Sequence, residues 1–319
     1  MTTYSHDVVD CLSLLSLKVA SNVFDLSSGL HHVSIRDQIV RAQLVVRDLK
    51  RGDPNLNSIL IVGAGVAGIS AALEAAKHDI KHITIVETKN APFSLLKTVK
   101  SRFVGPFMYE WPSPFSMNQS YPVHNSTTWG SHSTAPLQWR AKKPTPACEL
   151  ATKLETYLLS QLQDIAAKGN SILTICVDVS SNRITRFVRN FAANESARAL
   201  SRLQRHKPGS LLDFGLWNAT TWPNRTKAEI VSTPNYVLLA AGMGRESVKL
   251  VAEDASGAKY TGLNFNGPLF WDNDSLKERD SVNRNIAVFG GGDGALQDVL
   301  RALTRFDHPL EFIEFPGRR

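Results

Sequence analysis

The chain has little cysteine, no long apolar run and no strong excess of either charge. Its 319 residues include three cysteines, Cys11, Cys148 and Cys176. None forms a C-x-x-C or C-x4-C pair, which argues against a disulfide framework, a zinc site and a dithiol built from sequence neighbours. Cys176 lies in the apolar run 172–179 and is expected in the core. No segment reaches the roughly 20 apolar residues needed to span a bilayer. The N-terminus is interrupted by Asp7 and Asp10 and lacks the basic start and unbroken apolar stretch of a secretory signal. N-x-[ST] triplets such as Asn125-Ser126-Thr127 therefore carry little weight, and a cytoplasmic protein without a membrane partner is expected. Net charge is +7, from 36 basic and 29 acidic residues. The densest basic clusters fall at 183–189, 198–207 and Arg318-Arg319. Such a balance suits an anionic cofactor. With no recognition motif beside it, no nucleic-acid partner is expected.

What is present is most informative at 59–68. Ile59, Leu60, Ile61 and Val62 run straight into Gly63-Ala64-Gly65-Val66-Ala67-Gly68, a G-x-G-x-x-G turn. Residues 69–77 are rich in helix formers, and 83–87 read as a second strand ending in Glu87, 19 residues after Gly68. Strand, glycine turn, helix and second strand with a terminal acid make up a dinucleotide-binding unit. Gly63 permits the tight turn. Gly65 lets a pyrophosphate approach the backbone, and Gly68 lets the helix pack closely on the strand. The helix start, with Val66 and Ala67, offers free N–H groups and the positive end of the helix dipole to the phosphates. Glu87 is placed to accept hydrogen bonds from ribose hydroxyls.

Upstream, residues 1–57 are expected to be a helical segment. A helix over 8–24 would carry Leu12, Leu15, Val19 and Val23 on one face. A clearer one spans 34–50, with Ser34 as cap, Asp37 at the capping-box position and Ile35, Ile39, Ala42, Val46 and Leu49 at helical spacing. Gly52 and Pro54 follow its end. Downstream of Glu87, residues 91–147 are rich in Pro, Trp, His, Ser and Thr and show little periodicity. So long an irregular stretch reads as a functional insertion. Tyr109, Trp111, Tyr121, Trp129 and Trp139 suit the wall of a pocket beside a planar ring, or the core gaps that an ordered loop would fill. Residues 148–168 return to helical spacing, with Leu150, Leu154, Leu158, Leu162 and Ile165 on one side and Gly169 at the end. The runs 172–179 and 184–191 read as strands, with further strands at 211–216 and 227–232, together a β-meander. An apolar strand then ends in Ala240-Ala241-Gly242, where small residues let the backbone turn close to a cofactor.

The opening pattern recurs near the C-terminus. Residues 285–289 read as a strand, and Gly290-Gly291-Gly292-Asp293-Gly294-Ala295 supplies G-x-G-x-x-A. A helix over 296–306 is predicted with Leu296, Leu300 and Leu303 inward. A short strand over 310–315 contains Glu314, again 19 residues on, counted from Ala295. The expected domains are 1–57, an α/β domain over 58–284, and a partial second unit over 285–319.

The two fingerprints, with Ala240-Ala241-Gly242 between them, resemble the two-dinucleotide-binding-domain flavoproteins. The resemblance implies a Rossmann-like FAD-binding domain with a β-meander insertion and the start of a second, NAD(P)-binding Rossmann-like unit. Gly63, Gly65, Gly68 and Glu87 would hold FAD, and Gly290, Gly292 and Ala295 would hold NADH or NADPH. Ala240-Ala241-Gly242 is similar to the family's Ala-Thr-Gly motif, with Ala241 in place of threonine, which brings Gly242 to the cofactor. The stretch 102–112, with Tyr109-Glu110-Trp111-Pro112, is similar to a Tyr-Asp/Glu-Trp-Pro segment of poorly characterised FAD-dependent oxidoreductases. Disulfide reductases are disfavoured for want of paired cysteines. The F-x-G-x-x-x-H-x-x-x-W pattern of Baeyer–Villiger monooxygenases is missing. Family members return to the flavin domain after the nucleotide domain, with a Gly-Asp pair that closes the flavin site. This chain stops at Arg319, so the resemblance implies either a C-terminally truncated chain or closing elements that come from elsewhere. Glu314 suits the 2′-hydroxyl of NADH, whereas Arg318 and Arg319 suit the 2′-phosphate of NADPH.

The expected function is therefore an FAD-dependent oxidoreductase. It would take a hydride from NAD(P)H and pass electrons to oxygen or an organic small-molecule substrate. That substrate would meet segment 103–140, with Trp271 at its edge. Tyr109, Glu110, His124 and His132 are candidate polar groups, none assigned as catalytic. The alternative is a non-catalytic dinucleotide-binding sensor or interaction protein.

Overall fold

The computed structural model describes residues 17–20, 22–27, 35–104, 137, 144–193, 219–228, 234–242, 249–250, 256, 265–266, 269–274, 276, 286–288, 293–304, 306–308 and 311. Its centre is β3 (Ser58–Val62), buried at every position. A strand apolar on both faces has to be covered on both, as in a parallel sheet with helices above and below. β3 pairs in parallel with β4 (His82–Val86) on one side and with β9 (Tyr236–Leu239) on the other. β4 continues in parallel to β7 (Ile172–Val177), and β9 to β2 (Val23–Asp25). The antiparallel strands β1 (Lys18–Ala20) and β8 (Thr220–Trp222) lie outside β2 and β7, giving the order β1-β2-β9-β3-β4-β7-β8. The strand order reverses at β3, with β4 and β7 to one side and β9 to the other. The crevice at such a reversal, beyond the strand C-termini, is where open α/β sheets take ligands.

Helices cover both faces. α1 (Ile35–Gly52) packs on α2 (Val66–Lys77). α1 contributes Ile39, Ala42, Val45, Val46 and Leu49 to the core. α2 is buried from Ala67 to Ala75 almost all round, which its many alanines and glycine permit by keeping it thin. On the other face, Leu60, Val62, Val86, Cys176 and Val237 form a cluster with Ile184, Phe187 and Phe191. Burying a phenylalanine side chain contributes about 1.5–3 kcal/mol. Asn235 ties the start of β9 to that of β3, because its Oδ1 accepts the N–H of Asn57 at 3.3 Å and of Ser58 at 3.0 Å.

Two sequence expectations change here. Residues 18–25 form β1 and β2 rather than the end of a helix. Val23 and Phe24 are buried beside β9, and pairing with a preformed edge outweighs local spacing. Residues 184–191 are not a strand of a meander but part of α5 (Ser181–Ala193). Ile184, Phe187 and Phe191 follow 3-and-4 spacing and face the sheet together, an arrangement a strand would split between two faces. Of the proposed strand 227–232, Lys227 makes a bridge to Thr220, and 229–232 lie outside the described residues, as does 211–216.

The chain divides into two compact units. The first comprises Met1–Ser94, Phe107–Arg140 and Lys153–Met243 and carries the seven-stranded sheet. The second comprises Leu95–Pro106, Ala141–Thr152 and Gly244–Arg319. Within it, β5 (Phe103–Val104) pairs with β6 (Thr145–Pro146), and β10 (Lys249–Leu250) with β11 (Phe265–Asn266). Three further helices complete the described elements: α3 (Ser94–Lys97), α4 (Ala147–Lys168) and, in the second unit, α6 (Asp293–Leu303). Leu150, Leu154 and Leu158 of α4 are buried as their spacing predicts.

Candidate functional site

The glycine turn sits at the reversal of strand order. Gly63 has φ +104, and a Cβ there would lie 2.9 Å from the Ala240 carbonyl carbon, with its oxygen closer still. Only glycine satisfies both the backbone angle and the contact with the end of β9. The Gly63 N–H donates to the Val86 carbonyl at 2.8 Å, and the Ala240 N–H to the Val62 carbonyl at 2.7 Å. The turn is thereby fixed between the C-terminal ends of β4 and β9. A Cβ at Gly68 would collide with the Gly63 carbonyl and sit 3.3 Å from Ile61 Cγ2. This glycine sets the closeness of α2 to β3.

Gly65 behaves differently. A Cβ there would meet nothing within 4 Å. It is the N-cap of α2, in an extended conformation, with no side-chain cap and no acid in the first turn. The amides of Val66, Ala67 and Gly68 have no carbonyl one turn earlier to bind, so the helix presents free donors and a positive dipole end. Open space before unpaired donors fits a pyrophosphate, which brings charge and acceptors but needs room.

Glu87 follows the last residue of β4, and its carboxylate reaches back over the turn. Oε2 accepts the Ala64 N–H at 2.7 Å, while Oε1 accepts the Lys89 N–H at 2.9 Å and the Thr88 hydroxyl at 3.1 Å. The carboxylate is thus oriented by three donors and retains acceptor capacity for ribose hydroxyls. Neither the Ala64 contact nor the part played by Phe93 is signalled by any local pattern in the sequence. Phe93 is buried with φ +56, and its N–H donates to the Ala64 carbonyl at 3.0 Å. The loop after Glu87 is therefore anchored to the glycine turn at both its start and its end. Gly242 also has a positive φ, +86, and faces open space. Cys176 is buried, and burial pushes its thiol up to about 11, which leaves it protonated and inert.

The second pattern is placed less favourably. Residues 286–288 form no strand, and Ile286 is exposed. Ala295 lies in the first turn of α6, while Gly290, Gly292 and Glu314 lie outside the described residues. The inward face expected for α6 is reversed. Leu296 is 61% and Leu303 78% exposed, Leu300 is partly buried, and Arg301 is 1% exposed. The buried side belongs to a charge cluster. Arg301 Nη1 and Nη2 donate to Asp274 at 2.8 and 3.0 Å, and Nη1 to Asp298 at 3.2 Å. Arg102 bridges the same two carboxylates, at 3.3 Å to Asp274 and more closely to Asp298, and its guanidinium lies 4.5 Å over the Phe270 ring. Two positive and two negative groups balance, and that mutual pairing lets a polar helix face go inside. Burial opposes the Asp274 charge, but hydrogen bonds and charges from Arg301, Leu276 and Arg102 outweigh it and hold the carboxyl below its usual range. Trp271 packs edge-on against Phe270 with centroids 5.1 Å apart.

Tyr109, Glu110, His124 and His132 lie outside the described residues, as do all of 105–136 and 138–143 within the aromatic insertion. Among the described residues, no cluster of His, Cys, Asp and Glu is arranged to hold a metal, and no helix is long and apolar enough to cross a membrane.

Residues 58–101 match the family model of an FAD binding domain. The match takes in β3, α2, β4 and α3, that is, the turn and Glu87 together, and supports an FAD-dependent oxidoreductase family. The mostly parallel α/β sheet agrees with a Rossmann-like FAD-binding domain. No curated protein and no solved structure matches the chain.

Proposed function

We propose that the chain is an FAD-dependent oxidoreductase, with FAD on the turn at 63–68 and NADH or NADPH as the reductant. The observation that carries this reading is the space at Gly65, open in front of unpaired helix amides and flanked by an oriented Glu87. In it, the amides of Val66, Ala67 and Gly68 bind the pyrophosphate, Glu87 holds the ribose, and Gly242 leaves room beside the bound group. The flavin, when bound, supplies the hydride and electron chemistry. The sequence pattern Gly290-x-Gly292-x-x-Ala295, with Glu314, supports the nicotinamide partner. Electrons would leave to oxygen or to a small organic acceptor.

The test is a visible spectrum of the purified protein, before and after reconstitution with FAD, followed by anaerobic addition of NADH or NADPH. A flavin band that bleaches with either nucleotide is expected. A protein that stays colourless after reconstitution overturns the flavin assignment. A bound flavin that neither nucleotide reduces overturns the reductant alone.

A further inference from the structure

We infer that the outer face of α6 is a docking surface for a second copy of this chain, packed as an antiparallel helix pair about a two-fold axis at Val299. α6 is inside out for a surface helix. Among its described side chains the exposed ones are Leu296, Val299 and Leu303, at 61%, 39% and 78%. Its charges are turned inward. Arg301 is buried, and Asp298 is engaged by both Arg301 and Arg102.

This orientation is built in. Rotating α6 to bury its leucines would pull Arg301 off Asp274, which it grips through Nη1 and Nη2 at 2.8 and 3.0 Å. It would also pull Asp298 off Arg102 and leave buried charges without partners, a heavy cost. The paired charges therefore hold an apolar seam out to solvent. Burial against another surface offsets that exposure.

Two features select a copy of the chain as that surface. The first is spacing. Leu296, Val299 and Leu303 fall at i, i+3 and i+7, the seam spacing of packed helices. The seam is also self-complementary. With a two-fold axis at Val299, that side chain meets its own copy, and Leu296 meets Leu303 of the partner subunit, as an isologous contact requires. The second feature is charge. The chain carries +7, which opposes self-association over most of its surface. On α6 no charged side chain is exposed among the described residues, and Asp298 beside the seam is already paired. Two copies therefore meet here without like charges facing each other, and a partner chosen by charge has nothing to read. Size sets the strength. Three side chains fall well short of the roughly 800 Å² that each partner gives to a stable complex, so the pair is weak and concentration-dependent.

Sedimentation velocity over a wide range of concentration tests the association. The wild type is expected to pass from monomer to dimer as concentration rises. Leu303→Glu places a carboxylate in the seam and is expected to weaken self-association at least tenfold. Its unfolding midpoint should not change, because the side chain is exposed in the monomer. Oxidative crosslinking tests the axis, with the wild type and its own cysteines as the baseline. Val299→Cys is expected to give a disulfide-linked dimer by itself. Leu296→Cys and Leu303→Cys are expected to crosslink when mixed and not when alone. A wild type that stays monomeric throughout overturns the proposal, and so does association that survives Leu303→Glu. Failure of both the Val299→Cys and the mixed crosslinks also overturns it, since the copies would then meet elsewhere.

Discussion

Residues 63–68 and 290–295 share a glycine spacing, and the contrast between them shows what such a pattern is worth. At the first, each glycine answers to something named: Gly63 to the Ala240 carbonyl, Gly68 to the Gly63 carbonyl, Gly65 to open space before the helix. A buried parallel strand feeds the turn, and an acid from the neighbouring strand closes over it. At the second, Ile286 and Ala287 are exposed, residues 286–288 form no strand, and the following helix buries an arginine while showing leucines to solvent. A Cβ on Gly294 there would meet the Phe270 ring at 2.8 Å. Spacing alone does not build the turn: at the first site a buried strand before it and a closely packed helix after it do so.

The largest effect expected to test this contrast is that of Gly68→Ala. Its Cβ would meet backbone that cannot move away, so a loss of about 3 kcal/mol or more is expected by urea unfolding. Next comes Gly65→Val, which has room and should leave the unfolding midpoint unchanged. FAD affinity, read by fluorescence titration, is expected to fall at least 100-fold, or about 2.7 kcal/mol. If FAD binds this variant as it does the wild type, the turn is not its site.

A pH effect separates the two units further. Burial lowers His308 to about 4 from its ordinary value near 6.5. The folded state therefore resists a proton that the unfolded chain accepts. The stability this involves is intact above pH 6.5 and is lost as pH falls from there to about 4, on the order of 3 kcal/mol. His308→Gln should flatten that part of the stability–pH profile and leave the first unit's pH response unaltered. The smallest effect belongs to Gly294→Ala. The Phe270 ring can tilt away, so a cost of about 1 kcal/mol is expected. A cost as large as that of Gly68→Ala would erase the distinction drawn here.

Much of the first unit was legible because its signals are local. The run 59–62, the glycine spacing and the helix formers after it determine β3, the turn and α2 within a few residues. Helices α1 and α4 were likewise readable from periodicity and their end signals. The misreadings came where local pattern meets a distant partner. Val23 and Phe24 fit a helix until β9 offers an edge, and Ile184, Phe187 and Phe191 fit either element until a sheet face needs covering. For α6, leucine spacing marked one face correctly as apolar. Which face goes inside depended on Arg102, Asp274 and Phe270, which lie far away in sequence. The hydrogen bond from Ala64 to Glu87 was invisible for the same reason.

The pairing of Phe103–Val104 with Thr145–Pro146 has a practical consequence. It places the two ends of the aromatic-rich stretch side by side, and the Ala147 N–H fastens one end to the Arg102 carbonyl at 2.9 Å. Closing a chain segment costs an entropy that grows slowly with its length, by only about 0.6 kcal/mol for each doubling. What an exchange of residues between the two strands has to preserve is therefore the pair of ends, not the number of residues that joins them.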